Sequence, residues 1–293
     1  MPSLTLFGHF LRELVTRDMP ARLPEPALLM DDPAQVAAYV QAGRVDGPVA
    51  PNYLFHSQQA CRLIRPGDCV VDLACGPATQ LCQLAQLNPQ AHFIGVDLSP
   101  TMLAQAQAQV AALGLQNVSL REGDITRLAD MPDACADVVI STMSLHHLPD
   151  QAALAACCEA ALRILQPGGA MYLADFVRLK REETRRHFAQ LHPGQSPLFV
   201  ADYLNSLRAA FSLAELRAAA LPLLSAGARL ISNPGVPLMG VIATPPRVKP
   251  DAAQRAQLRA LWLALDRPLQ RDFNDIRLSF MNGPLRDRHP ARG

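Results

Sequence analysis

The chain has no run of about 20 apolar residues, the length a helix needs to cross a bilayer. It carries little charge: Asp, Glu, Lys and Arg make up 18% of its 293 residues, and the formal net charge is +1. With no basic excess to meet a phosphate backbone, nucleic acid is not an expected partner. Aromatic residues are scarce at 5%. None of the seven cysteines belongs to a Cys-x-x-Cys pair, and an odd count in a long chain argues against a disulfide framework. Several lie in apolar surroundings and read as small core residues. Arg12, Glu13, Arg17 and Asp18 interrupt the apolar pattern of the first 20 residues. A secretory signal would keep an unbroken apolar stretch and a small-residue cleavage site, so the expected location is cytoplasmic.

What is present is core material. Hydrophobic residues are 49% of the chain, ample for one large α/β domain or two small ones. Six prolines punctuate residues 20–51. A short helix is expected over Pro33–Val40 with Asp32 as its cap, and another over His56–Ile64. From Cys69 the pattern becomes regular. Apolar strand-like runs fall at Cys69–Leu73, His92–Asp97, Val118–Leu120, Ala136–Ser141 and Ala170–Ala174. Helical stretches alternate with them at Thr79–Leu87, Pro100–Leu113 and Gln151–Leu165. Ser99 caps the second of these, and Gly114 suits its end. Alternation of this kind means βαβ units and a parallel sheet with helices on both faces. A mostly helical stretch, 180–207, and a helix from Ser212 to about Leu221 follow. Two further strand-like runs, Ala228–Ile231 and Leu238–Ala243, are joined by Ser232-Asn233-Pro234-Gly235. So short a link favours an antiparallel hairpin at the sheet edge. The expected fold class is α/β: a doubly wound, mostly parallel, seven-stranded sheet with helical lids. The expected organisation is a helical N-terminal lid (1–66), a central domain (67–246) with a lid insert (177–211), and a C-terminal extension (247–293). That extension reads as a helix, Ala252–Leu265, and then a polar, Arg-rich tail that could serve a homodimer contact.

The chemistry concentrates after the strands. In open α/β sheets ligands bind outside the carboxyl ends of strands. The segment Asp72-Leu73-Ala74-Cys75-Gly76-Pro77-Ala78-Thr79 joins the first strand to the first helix. A dinucleotide fingerprint needs Gly-x-Gly-x-x-Gly, but those positions hold Ala74, Gly76 and Thr79. A nicotinamide oxidoreductase is therefore disfavoured. The pattern acidic-x-Gly-x-Gly-x-Gly fits better, as Asp72, Ala74, Gly76 and Ala78. The second strand ends in Asp97, a carboxylate placed to accept from two ribose hydroxyls. The third ends in Glu122-Gly123-Asp124-Ile125, with a carboxylate able to accept from an amino group. A charged group is costly to bury unpaired, so core packing does not explain an acidic end on three successive strands.

Residues from about 60 to 176 resemble the class I S-adenosylmethionine-dependent methyltransferases, in the small-molecule branch with quinone C-methylases and natural-product O-methyltransferases. The resemblance rests on the loop above and on three further segments: Gly95-Val96-Asp97-Leu98-Ser99-Pro100, Leu145-His146-His147-Leu148-Pro149-Asp150, and Leu165-Gln166-Pro167-Gly168-Gly169. It implies S-adenosylmethionine as cofactor and a Rossmann-like sheet whose last strand is antiparallel. It implies a cofactor set of Asp72, Ala74, Cys75, Gly76, Thr79, Asp97, Leu98, Met102, Gly123, Asp124, Ile125, Ser141, Thr142 and His146. Within it Asp97 would bind the ribose and Asp124 the adenine. Ala74–Gly76 would lie against the methionine part, and Ser141 and Thr142 would flank the sulfonium. A non-catalytic cofactor-binding scaffold is an alternative.

Methyl transfer is an in-line displacement with a neutral leaving group, so it demands neither an oxyanion hole nor a metal, and no metal is expected. Positioning and exclusion of water do most of the work. A hydroxyl acceptor must also lose a proton, which calls for a base. His146 and Asp175 are the expected pair, the imidazole acting and the carboxylate orienting it. Two adjacent histidines are not expected to point the same way. The acceptor is expected to be a small molecule, methylated on oxygen first, then carbon or nitrogen. Its pocket is assigned to the lids, with Tyr53, Phe55, His56, His147 and Tyr203 as candidate contacts. The aromatic-proline motif of amino-modifying nucleic-acid enzymes is missing after the fourth strand, where Ser141-Thr142-Met143-Ser144 stands.

Overall fold

The protein is described here by a computed structural model. It describes residues 4–27, 30–44, 46–192, 194–280, 284–287 and 289–292. The expected lids and tail also include residues 1–3, 28–29, 45, 193, 281–283, 288 and 293, which lie outside the described residues.

Three helices precede the sheet: α1 (Leu4–Val15), α2 (Pro33–Ala42) and α3 (Ala50–Ala60). The alternating part comprises β1 (Cys69–Leu73), α4 (Thr79–Leu87), β2 (His92–Asp97), α5 (Pro100–Ala112), β3 (Val118–Glu122), β4 (Ala136–Thr142), a 3₁₀ turn at Leu145–His147, α6 (Gln151–Ile164) and β5 (Leu165–Phe176). Helices α7 (Glu182–Ala189) and α8 (Pro197–Ala209) form the insert. They are followed by α9 (Leu213–Ala219), α10 (Leu221–Ser225) and the hairpin β6 (Arg229–Ser232) and β7 (Met239–Ala243). Two helices close the chain, α11 (Ala252–Ala264) and α12 (Arg267–Ser279), before a 3₁₀ turn at Pro290–Arg292.

The seven strands run in the order β3-β2-β1-β4-β5-β7-β6. The first five are parallel, and β7 slots antiparallel between β5 and β6, pairing Tyr172 with Ala243 and Phe176 with Met239. The connections reverse direction between β1 and β4, which opens a crevice at their carboxyl ends. Caps start the helices where the sequence places them. Asp32 accepts from the amides of Ala34 and Gln35, Ser99 from Met102, and Asp150 from Ala153. Apolar side chains cover both faces of the sheet. Leu81, Phe93 and Tyr172 lie in the cluster on one face, and Leu73, Leu154 and Phe211 in that on the other.

Two expectations need correcting. The helix expected from His56 begins at Ala50, because Pro51 occupies its first turn, where a missing N–H costs nothing. The polar tail expected after Leu265 instead contains α12. Asp266 caps that helix, and Leu269, Phe273, Ile276 and Phe280 fall on one stripe. Phe273 is fully buried, and Phe280 stacks on Phe55 with ring centroids 5.5 Å apart. The extension is thus packed against its own chain, and truncating Phe273 would cost about 3–5 kcal/mol.

Candidate active site

At the carboxyl ends of β1–β4 lies a cavity of about 270 Å³. Asp72, Ala74, Cys75, Gly76 and Thr79 line it from the first loop. Asp97, Leu98 and Met102 line it from the second, Asp124 and Ile125 from the third, and Thr142 and His147 from the fourth. Tyr53 reaches it from α3. The first loop is left-handed at Ala74 (φ 55), Gly76 (φ 53) and Ala78 (φ 59). The two alanines keep the backbone path that glycine adopts freely, at a strain of about 1 kcal/mol each. The loop packs so tightly on β2 that a Cβ on Gly95 would sit 2.8 Å from Cys75 Sγ.

The cavity is acidic. Asp97 Oδ2 accepts from the Gly76 amide at 2.7 Å, and Oδ1 from the Ser99 amide at 2.9 Å. Burial pushes its carboxyl up, and the amides of Ser99, Gly76 and Leu98 draw it part of the way back. Among the described residues Asp72 has no such donors. Burial, helped by the charge of Asp97, pushes it up to about 8. Asp124 Oδ1 accepts from the Thr126 amide at 2.8 Å and its hydroxyl at 2.6 Å, which fixes the side chain in an Asx turn.

Other expected residues stand back from the cavity. Gly123 donates its amide to Asp97 O at 2.9 Å and acts as backbone spacing between two strands. Ser141 is fully buried. Its hydroxyl donates to Leu73 O at 3.0 Å and lies 2.6 Å from the Ser144 hydroxyl, so it ties β4 to β1 beneath the loop. Phe55 and His56 are core residues. The His56 imidazole meets the Tyr172 hydroxyl at 2.8 Å, and burial holds its pKa down to about 3. Tyr203 packs between Phe176 and Phe199, at ring distances of 5.3 and 6.0 Å. The acceptor contacts expected at Phe55 and His56 are therefore spent on packing, while Tyr203 is half-buried in the insert. All seven cysteines are free, and Cys75 is the one among them at the cavity wall.

His146 and Asp175 form a buried pair, 3% and 2% exposed. Asp175 Oδ2 accepts from the His146 amide at 2.6 Å, and Oδ1 lies 2.7 Å from its Nδ1. The Phe176 amide donates to the same Oδ1 at 2.7 Å. Burial alone would lower the imidazole pKa. The charges of Asp175, Glu25 and Asp202 and the Asp175 hydrogen bond overcome it, and the net shift is upward. Among the described residues His147 has no such partner, and burial beside His146 and Arg22 drives its pKa well below the usual range. The two rings lie 4.3 Å apart and tilted by 36° in a single 3₁₀ turn, and of the two it is His147 that lines the cavity, so His146, expected among the cofactor contacts, stands back from it.

Residues from the proline-punctuated strap before α2 were not foreseen. Arg22 donates to Pro149 O at 2.6 Å, His146 O at 2.7 Å, Leu148 O at 2.6 Å and Ala209 O at 2.5 Å, and lies over the Phe211 ring. It clamps the histidine turn to the end of α8. Glu25 accepts from the Ser206 hydroxyl at 2.9 Å, and its carboxylate lies within 4.8 Å of a ring nitrogen of both His146 and His147. Neither residue stands in a periodic pattern or a motif, so no sequence signal marks them. Met30, Tyr39 and Gln80 also line the cavity unforeseen. Gln80 did leave a trace, as a polar residue on the otherwise apolar buried face of α4.

Residues 64–201 match a family described as a methyltransferase domain. The chain is 32% identical to the arsenite methyltransferase of Halobacterium salinarum over 121 residues, 41% of this chain and 30% of that protein. It is 41% identical to the trans-aconitate 2-methyltransferase of Deinococcus radiodurans over 107 residues, 36% of this chain and 37% of that one. It is 30% identical to a demethylmenaquinone methyltransferase of Listeria monocytogenes over 113 residues, 38% of this chain and 46% of that one. The chain thus spans less than half the length of each of these relatives. Among solved structures, an O-methyltransferase family protein from Burkholderia thailandensis superimposes with a TM-score of 0.53 at 19% identity, covering 84% of this chain and 69% of that one. An S-adenosylmethionine-dependent methyltransferase from Aquifex aeolicus gives 0.50 at 17%, covering 72% and 98%. At these identities the structures show a shared fold.

Proposed function

Through residues 64–201 the chain belongs to the class I S-adenosylmethionine-dependent methyltransferases, and from that premise we propose that it methylates a hydroxyl oxygen on a small-molecule acceptor, with His146 and Asp175 handling the proton. The observation that carries this reading is the twofold grip of Asp175 on His146, through the backbone amide at 2.6 Å and through Nδ1 at 2.7 Å. One carboxylate sets both the turn and the ring. It leaves Nε2 as the nitrogen able to take a proton and stabilises the imidazolium that results.

The residues at the cavity suit the cofactor. Asp97 would hold the ribose hydroxyls and Asp124 the adenine amino group, since each carboxylate keeps lone pairs beyond its backbone partners. The loop Ala74–Gly76 would lie against the methionine part, and Thr142 would flank the sulfur. When bound, S-adenosylmethionine supplies an electrophilic methyl carbon on a sulfonium. His146 then takes the proton that the acceptor hydroxyl sheds. Arg22 holds the histidine turn in place through four carbonyls. We further infer that residues 1–66 and 177–211 act as lids that exclude water and bound the acceptor, with 247–293 as a helical extension of the domain.

The test incubates the chain with methyl-labelled S-adenosylmethionine and paired acceptors, each hydroxyl compound beside its amine counterpart. Label should appear on hydroxyl oxygen, at a rate that rises with pH through one group. Label confined to nitrogen or carbon would refute the oxygen assignment. Cofactor binding without transfer to any of them would favour a scaffold.

A further inference from the structure

The cavity wall holds Asp72, Asp97 and Asp124 but, among the described residues, no lysine or arginine. The cofactor of this family ends in an amino acid, with an ammonium and a carboxylate. Asp72 is a natural partner for the ammonium. The carboxylate finds no cation, so a neutral donor must meet it.

Gln80 is the residue so placed. It lies in the first turn of α4, directly after the loop, and is 6% exposed. The Thr142 hydroxyl donates to its Oε1, which fixes the orientation of the amide. That leaves Nε2, on a residue that lines the cavity, buried and without a hydrogen-bond partner among the described residues. A buried donor left unmade costs about 1–3 kcal/mol, so its retention points to a ligand that completes it. The amides at the start of α4 add partial positive charge to the same spot.

We propose that Gln80 is the residue that recognises the cofactor's carboxylate, with Thr142 as the group that aims it and Asp72 as the partner of the ammonium. The assignment rests on the methyltransferase reading, and the test separates the two. Two probes are titrated calorimetrically into wild type, Gln80→Ala and Gln80→Glu. S-adenosylhomocysteine carries the amino-acid end. 5′-Methylthioadenosine keeps the nucleoside and sulfur and lacks that end. Gln80→Ala should weaken S-adenosylhomocysteine about tenfold or more, since a hydrogen bond to a charged group is lost. Gln80→Glu should weaken it further by like-charge repulsion. Both variants should bind 5′-methylthioadenosine as wild type does, which also shows that they are folded. Equal weakening of both probes would make Gln80 a structural residue and overturn the proposal. Unchanged binding of both would overturn it as well. Failure of wild type to bind either probe would instead sink the cofactor reading, and this assignment with it.

Discussion

The two ends of the proposed site are built in opposite ways. At the cofactor end every carboxylate lies at or just beyond the carboxyl end of a strand: Asp72 in β1, Asp97 in β2, and Asp124 just after β3. Their positions follow from the parallel sheet, and backbone amides close by hold two of them. At the proposed acceptor end the groups come from distant segments, and of the histidine pair it is His147, not His146, that lines the cavity. Arg22 reaches across 124 residues to His146, Asp175 across 29, and Ser206 across 181 to Glu25. The first end is local and repeats a rule of the fold. The second exists only once the strap before α2, the histidine turn and the insert have docked. On the proposal above, the chemistry of the donor sits in the sheet frame, and acceptor selection sits in parts held by tertiary contacts.

If that division is right, substitutions at the two ends should separate turnover from cofactor affinity. The largest effect is expected at His146. Replacing it with Ala should lower turnover by about 10²–10⁴-fold, the usual contribution of a positioned base, with S-adenosylhomocysteine affinity within about twofold of wild type. Asp175→Asn should do less in the label-transfer assay, because it removes orientation and charge but keeps the imidazole. In wild type the rate should rise with pH and level off above the ordinary imidazole value, because the His146 pKa is shifted upward. That limb should vanish in His146→Ala. The same shift has a stability consequence of fixed sign. A raised histidine pKa stabilises the fold fully below about 6.5 and loses that contribution as pH climbs through the folded value, so thermal melts of wild type and His146→Ala should converge in alkali.

Next comes Arg22→Ala, which strips four carbonyls of their donor. It should cost about 2–3 kcal/mol in denaturant melts, and Arg22→Lys should recover little, because one ammonium cannot span the fork. If Arg22→Ala melts like wild type, the strap is not what holds the histidine turn. Asp97→Ala should weaken cofactor binding about tenfold or more, and Asp124→Asn by less, since the amide keeps one acceptor oxygen. An Asp124→Asn protein with normal affinity and collapsed turnover would move that residue to the acceptor end. The smallest change is Ala74→Gly, which should raise stability by up to about 1 kcal/mol by relieving its left-handed backbone. A loss of stability there would mean that the methyl group's packing outweighs the strain.

The legibility of the sequence divides along the same line. Strand ends, caps and the helix starts of the alternating part could be read because each is decided within a few residues: His92–Asp97 by its apolar run, α5 by Ser99 and Pro100. The antiparallel hairpin followed from the shortness of its link. α12 escaped because its stripe of Leu269, Phe273, Ile276 and Phe280 is diluted by Arg and Asp, and its burial depends on α3 being there to receive it. Phe55 and His56 misled for the same reason. They adjoin Tyr53, which does face the cavity, but a helix turns 100° per residue and carries them into the core. Arg22 and Glu25 lie among prolines with no periodicity to mark them. Their roles are visible only in the carbonyls and imidazoles they meet.

Calorimetry of S-adenosylhomocysteine on three proteins tests the central claim most directly. Wild type and His146→Ala should bind it saturably with the same affinity, while Asp97→Ala binds about tenfold more weakly or worse. No binding to wild type, or equal weakening in His146→Ala and Asp97→Ala, would contradict the division of the proposed site into a donor end and an acceptor end.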